Sequence, residues 1–256
     1  MELKIGDYVT RSSYNNDTIF RIVDIKDEVI LKGVDIRLFA DAHINDLVKC
    51  DYINEDEDYI DKIDIKDEMD RSEFFYLPAK ILHIDGDKEY LSRCMNFYKK
   101  ANVYAVGEYV SENDMPNSVT KYLKKYKPDI LIITGHDSIN KNKDYKVLDN
   151  YKNSKNFVKS VFQARNYEHS HDKLVIIAGA CQSDYESLIK AGANFASSPK
   201  RINIHALDPA IIAVNLALTE RNKEIDLINL LDKTKYGKDG IGGLKSNGMM
   251  FVGYPR

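Results

Sequence analysis

Apolar positions fall in two rhythms along this chain. Over the first fifty residues they come in short alternating runs: Tyr8-Val9 after Lys4-Ile5-Gly6-Asp7, then Phe20 to Ile25, then Val29 to Val34. Alternation of period two predicts strands with one buried face. Asn15-Asn16-Asp17 marks the first turn, and Ile36-Arg37-Leu38 reads as a fourth strand. Five short strands of this kind close into an SH3-like barrel. Residues 1–50 are therefore expected to form a small β module, either a docking surface or a stabilising appendage.

The second rhythm begins near Leu77. Continuous apolar runs, Ala79 to Ile84, Val103 to Val106, Asp129 to Thr134, Leu174 to Ala178 and Ala193 to Ser197, predict buried parallel strands. Between them, apolar residues recur at helical spacing: Tyr90, Leu91, Cys94, Phe97 and Tyr98; Val119, Tyr122, Leu123 and Tyr126 after Pro116; Phe157, Val158, Val161 and Phe162. Asp208-Pro209 opens another helix with Ile211, Ile212, Val214 and Leu216. Alternating strands and helices predict an α/β fold with a mostly parallel sheet covered on both faces. Between the two rhythms lies an acidic stretch, residues 51–75, expected to be a linker. Residues 76–256 then form the α/β domain. Gly237, Gly240, Gly242, Gly243 and Gly248 predict a mobile loop, and Met249 to Val252 a terminal strand.

Composition narrows the class. With 43% apolar and 30% charged residues the chain has enough apolar material for a core, and a net charge of −3 gives no reason to expect nucleic acid as a partner. No apolar run approaches the roughly 18 residues of a membrane span, so no membrane is expected either. Cys50, Cys94 and Cys181 lack a C-x-x-C spacing, which favours free thiols in a reducing cytoplasm.

The chemistry is expected at the carboxyl ends of the parallel strands, where open α/β sheets place their sites. The strand ending at Ala178 breaks at Gly179 and delivers Cys181. Ser183 and Glu186 have the spacing of a capping box that opens a short helix. The strand ending at Thr134 runs into Gly135-His136-Asp137. Paired directly, the two strands lie roughly 4.8 Å apart, which brings His136 and Cys181 within reach of one substrate carbonyl. A free cysteine is most often a small buried hydrophobe. A histidine ending the neighbouring strand favours the other reading: a thiolate nucleophile, its pKa lowered from about 8.5 by imidazole and helix N-terminus, with His136 as acid and base. His205 is a weaker candidate base, and His169-x-His171 lacks a ligand set for metal. Asp85 and Asp87, ending the first strand of the domain, form either an ordinary turn or an acidic pocket for a substrate arginine. Asp184 reads as a helix-start charge.

An apolar strand ending T-G-H-D, followed by one ending G-A-C-Q-S, resembles the His/Cys arrangement of caspase-like cysteine peptidases. More closely, K-I-G-D-Y-V-T-R, L-K-G-V-D-I-R-L-F-A-D-A, I-L-H-I-D-G-D, I-T-G-H-D and A-G-A-C-Q-S together resemble the YabG family of sporulation-specific bacterial peptidases. The resemblance implies a caspase-like sheet and an endopeptidase cutting after or near arginine. It implies Cys181 as nucleophile and His136 as partner, with spore coat and germination-related proteins as substrates in the mother-cell cytoplasm or on the spore. Caspase-like enzymes carry glycine after the histidine, where this chain has Asp137. The backbone N–H there is kept, so Asp137, Cys181 and Gly135 are the candidate oxyanion donors. No metal or organic cofactor is required. A homodimer is a further candidate assembly. Self-cleavage is expected at arginines of the module and linker, Arg11, Arg21, Arg37 or Arg71. Two rival readings are a receiver-like domain, with Asp85 and Asp87 holding Mg²⁺, Asp137 as phosphoacceptor and Lys200 after the fifth strand, and a non-catalytic coat-assembly scaffold.

Overall fold

The computed structural model describes residues 3–54, 56–60, 72–140 and 143–256. Part of the expected acidic linker, residues 55 and 61–71 and Arg71 with them, lies outside the described residues.

The N-terminal module is an antiparallel sheet of five short strands: β1 (Tyr8–Arg11), β2 (Phe20–Ile25), β3 (Val29–Gly33), β4 (Phe39–Ala42) and β5 (Leu47–Lys49). Their order is β4-β3-β2-β1-β5. The alternation of the sequence supplies its small core, with Val9, Phe20, Ile22, Val29 and Leu31 buried together. The expected fourth strand is displaced. Ile36-Arg37-Leu38 is no part of the sheet, and β4 starts at Phe39. Instead, Ile36 forms an isolated antiparallel bridge with His205 of the other domain.

After a short helix α1 (Asp56–Ile60) and strand β6 (Phe75–Leu77), the α/β domain begins. Its strands are β7 (Ile81–Asp85), β8 (Ala105–Tyr109), β9 (Ile130–Thr134), β10 (Val175–Ala178), β11 (Phe195–Ser197) and β12 (Ile241–Gly243), in the order β12-β11-β10-β9-β7-β8. All pairs are parallel except β11 with β12. Helices α2 (Lys88–Lys100), α6 (Asp208–Leu218) and α7 (Leu227–Asp232) cover one face. Helices α3 (Met115–Tyr126), α4 (Ser154–Tyr167) and α5 (Tyr185–Lys190) cover the other. The strand period of two divides the side chains between these layers. Ile130 and Ile132 of β9 face the first layer, and Leu131 and Ile133 the second.

The glycine-rich stretch departs from expectation. It forms a short helix, α8 (Gly237–Gly240), and then β12, which closes the sheet edge. A Cβ at Gly243 would meet Phe195 Cδ1 at 2.4 Å, and one at Gly242 would meet the Tyr185 hydroxyl at 2.9 Å. The glycines here let a strand approach closely; they do not mark a loose loop. The terminal strand β13 (Phe251–Gly253) pairs with β6 in a separate two-stranded ribbon. Among the described residues, no helix is long and apolar enough to cross a membrane.

The strand order reverses direction between β7 and β9. Connections run to β8 on one side and to β10 and β11 on the other. Such a switch point opens a crevice beyond the strand ends. Asp85-Gly86-Asp87 and Gly135-His136-Asp137 lie at its two lips.

Candidate active site

Register sets the site. Asp85 lies opposite Thr134, and Ile133 opposite Ala178, so the loops after β7, β9 and β10 leave the sheet side by side. Gly179 carries φ +103°, and a Cβ there would press on Leu188. That left-handed bend turns the chain sharply after β10. Gln182, directly after Cys181, is also left-handed at φ +57°.

Asp137 ties two of these loops together. Its buried carboxylate accepts from Ser138 N, from Asn153 N at 2.7 Å, from Ser154 Oγ, and from Ser183 Oγ at 2.9 Å across the loop after β10. Burial pushes its pKa up, against the lowering by these donors. Ser183 Oγ accepts in turn from Ala180 N, so it is engaged in the loop. The cap of α5 is Asp184, whose carboxylate accepts from Ser187 N. The expected Ser183 capping box is therefore replaced by an Asp184 cap, because Ser183 is drawn to Asp137.

His136 is fixed by a residue the sequence did not single out. Glu112 Oε1 accepts from His136 N at 2.8 Å and lies 3.4 Å from Nδ1. Its carboxyl, which burial alone would raise, is held below the usual range by these contacts with His136. Glu112 fits because Gly86 and Gly135 leave room: a Cβ on either would overlap its carboxylate at 2.3 and 2.5 Å. The two strand-end glycines were the available signal. On the other side, His136 Nε2 lies 3.5 Å from Asp87 Oδ2. Phe39 and Tyr90 pack on the ring, with centroids at 4.7 and 5.8 Å.

Asp85 is fully buried and takes Arg37 of the N-terminal module, with Nη1 to Oδ2 at 2.6 Å. The guanidinium also donates to Ala206 O at 3.1 Å and lies over the Tyr90 ring. Thr134 Oγ1 and Asp87 N donate to the same carboxylate. Burial alone would raise the Asp85 pKa, but the Arg37 charge and the His83 contact hold it far below the usual carboxylate range. Cys181 is also fully buried, packed with Ile36, Ile204 and Leu38. Its sulfur accepts from Ile204 N at 3.3 Å. Burial pushes the thiol up to about 12, despite the backbone groups of Ile204 and Arg37 and the Arg37 charge, which lower it. A helix start and an imidazole can lower a thiol pKa, but in the resting chain the apolar cover of Ile36, Leu38 and Ile204 outweighs them.

Comparison with known proteins accounts for the whole chain. The sequence matches the family described as YabG peptidase U57 over residues 4–69 and 51–255. It is also 39% identical to the sporulation-specific protease YabG of Bacillus subtilis (strain 168) over an alignment 289 positions long, which covers 100% of this chain and 99% of that relative. The chain belongs to the YabG peptidase family.

In this YabG family chain the candidate residues lie as follows. His136 and Cys181 end neighbouring parallel strands and flank one segment of the module: Phe39 on the His136 ring, Ile36 and Leu38 on Cys181. The N–H groups of Asp137 and Cys181 donate to no acceptor among the described residues. Asp87 is divided between capping α2 through Glu89 N and Tyr90 N and pairing with Lys32 at 2.7 Å. His205 lies apart, stacked on Tyr59, its Nδ1 accepting from Leu207 N. It sits near Asp35 and Asp56, three groups with metal-ligand types, but Arg93 already pairs with both carboxylates. The receiver-like reading loses its acidic cluster, since Asp85 is committed to Arg37 and Asp137 to its four donors.

Proposed function

We propose that this YabG family peptidase is a cysteine endopeptidase of sporulation that cuts on the carboxyl side of arginine, on a caspase-like arrangement of Cys181 and His136. The observation that carries the reading is Arg37: a guanidinium held by the buried Asp85 carboxylate, in the crevice where the His136 and Cys181 loops meet. A pocket that holds one arginine there is suited to a substrate arginine in the same place.

In this reading the Cys181 thiol gives its proton to His136 and attacks the carbonyl carbon of the arginine. The N–H groups of Asp137 and Cys181, with Gly135 as a further candidate, receive the oxyanion, a term worth ~10²–10³ in rate per donor. His136, oriented by Glu112, passes the proton to the departing amine as the C–N bond breaks. Water then attacks the thioester with His136 as base, releasing the carboxylate and restoring the thiol. Asp85 selects arginine, with Asp87 at the rim. Spore coat and germination-related proteins of the mother-cell cytoplasm or spore are the substrates this reading assigns.

The test is prolonged incubation of an arginine-containing peptide library with the full-length protein and with its Cys181→Ala and His136→Ala variants. Cuts after arginine by the parent chain, lost in both variants, are expected. Cuts that survive Cys181→Ala overturn the mechanism.

A further inference from the structure

The segment from Asp35 to Phe39 lies across the candidate site in the manner of a bound peptide. Ile36 bridges antiparallel to His205, and Ala206 N donates to Asp35 O at 2.7 Å. This is strand addition, by which extended peptides dock on a backbone edge. Arg37 then drops its side chain onto Asp85, 0% of either side chain being exposed. Ile36 and Leu38 seal Cys181, and Phe39 covers the His136 ring. The contact is anchored at its edge by Lys32, which pairs with Asp87 at 2.7 Å and Glu89 at 3.0 Å.

The chain does not continue past Arg37 as an extended peptide. Leu38 N donates back to Ile36 O at 2.8 Å, and Gly33 N to Leu38 O at 2.7 Å. Tyr90 Oη donates to the Gly33 and Ile36 carbonyls as well. The bond after Arg37 is thus folded into the module and held from both sides.

We infer that residues 35–39 are an intramolecular substrate mimic: Arg37 occupies the arginine pocket, the flanking residues shield Cys181 and His136, and the resting chain is latent until the module lifts away. The inference rests on the arginine-directed reading of the site for its functional meaning. It goes beyond that reading in assigning the N-terminal module the role of inhibitor, in place of a docking surface or appendage. Since only the fraction of molecules with the module lifted can bind substrate, apparent activity scales with that fraction. Weakening the contact from the module's side raises activity without altering the groups that bind substrate.

Two variants of the full chain make the test: Arg37→Ala, which empties the pocket, and Lys32→Glu, which sets like charges against Asp87 and Glu89 should the first variant fold poorly. Each is compared with the parent for cleavage of an arginyl peptide amide and for iodoacetamide labelling of Cys181, located by mass spectrometry to separate it from Cys50. Both rates are expected to rise at least about tenfold in either folded variant. Labelling that rises without any cleavage supports the shield and removes the peptidase reading. Cleavage and labelling as fast in the parent as in both variants, with cleavage lost in Cys181→Ala, keep the peptidase and overturn the inference.

Discussion

Replacing Asp85 by Asn keeps the volume of the side chain and removes its charge. In the closed chain the Arg37 guanidinium then faces a neutral amide at the 2.6 Å contact, with Ala206 O and the Cys94 sulfur as its remaining acceptors. Breaking a buried pair by neutralising one partner costs about 3–5 kcal/mol, because the other charge stays desolvated. For a chain of this size that corresponds to a drop of roughly 6–20 °C in Tm. The module has a second option, which is to undock and return Arg37 to water. The loss is then limited to the free energy of docking, and Cys181 becomes reactive. Asp85→Asn therefore lowers Tm, speeds iodoacetamide labelling of Cys181, and still fails on arginyl peptides, with kcat/KM down by about 10² or more, equivalent to ~2.7 kcal/mol. Adding Arg37→Met to Asp85→Asn recovers much of the lost Tm, since replacing both partners of a buried pair is often near neutral. Differential scanning calorimetry of the four proteins in the cycle reads the coupling directly. An Asp85→Asn protein with unchanged Tm and unchanged arginine cleavage refutes the reasoning.

Three further outcomes follow from other contacts. Glu112→Gln keeps the hydrogen bond to His136 N but removes the charge beside Nδ1; steady-state kinetics are expected to show kcat down about tenfold with KM unchanged, a part of the roughly 10²–10⁴-fold that a positioned acid–base group contributes. Asp208 is fully buried, and desolvation raises its pKa from 3.8 to about 6 despite donation from Lys235 N and His205 N. A carboxyl whose folded pKa is raised stabilises most below pH 4, and the contribution disappears as pH rises through 6. The difference in urea stability between the parent and Asp208→Asn should change across that window by about 3 kcal/mol, and a flat difference argues against the burial. Gly243→Ala drives a methyl into Phe195 Cδ1 at 2.4 Å and Asn194 O at 2.6 Å, so it should cost about 1–3 kcal/mol, visible as a lower Tm.

The α/β domain was legible because its buried strands are apolar end to end and its helices keep a 3.6-residue stripe. The T-G-H-D and G-A-C-Q-S strand ends therefore fall at neighbouring positions in the sheet, in the parallel pair of β9 and β10. Asp184 as a helix-start charge was legible for the same local reason. What escaped depends on contacts far apart in sequence. Arg37 meets Asp85 across 48 positions, and Glu112 meets His136 across 24; no local pattern marks either partner. Ser183 had the spacing of a cap, but a buried carboxylate 46 positions upstream competes for its hydroxyl. The glycines of 237–243 read as a loop because glycine alone signals freedom; at Gly242 and Gly243, next to Tyr185 and Phe195, glycine is what close packing demands. The state of Cys181 was not legible for the same reason. A helix start beside it suggested a lowered pKa, whereas its cover of Ile36, Leu38 and Ile204 raises it.

The central claim is that Cys181 attacks the carbonyl of an arginine held by Asp85. It is tested most directly by an arginyl chloromethyl ketone, which alkylates a nucleophile placed next to a bound arginine. Mass spectrometry of the labelled Arg37→Ala protein should find the adduct on Cys181, absent in Arg37→Ala/Cys181→Ala and strongly reduced in Arg37→Ala/Asp85→Asn. An adduct on another residue that accompanies loss of cleavage, or cleavage that persists once Cys181 is fully alkylated, would contradict the account.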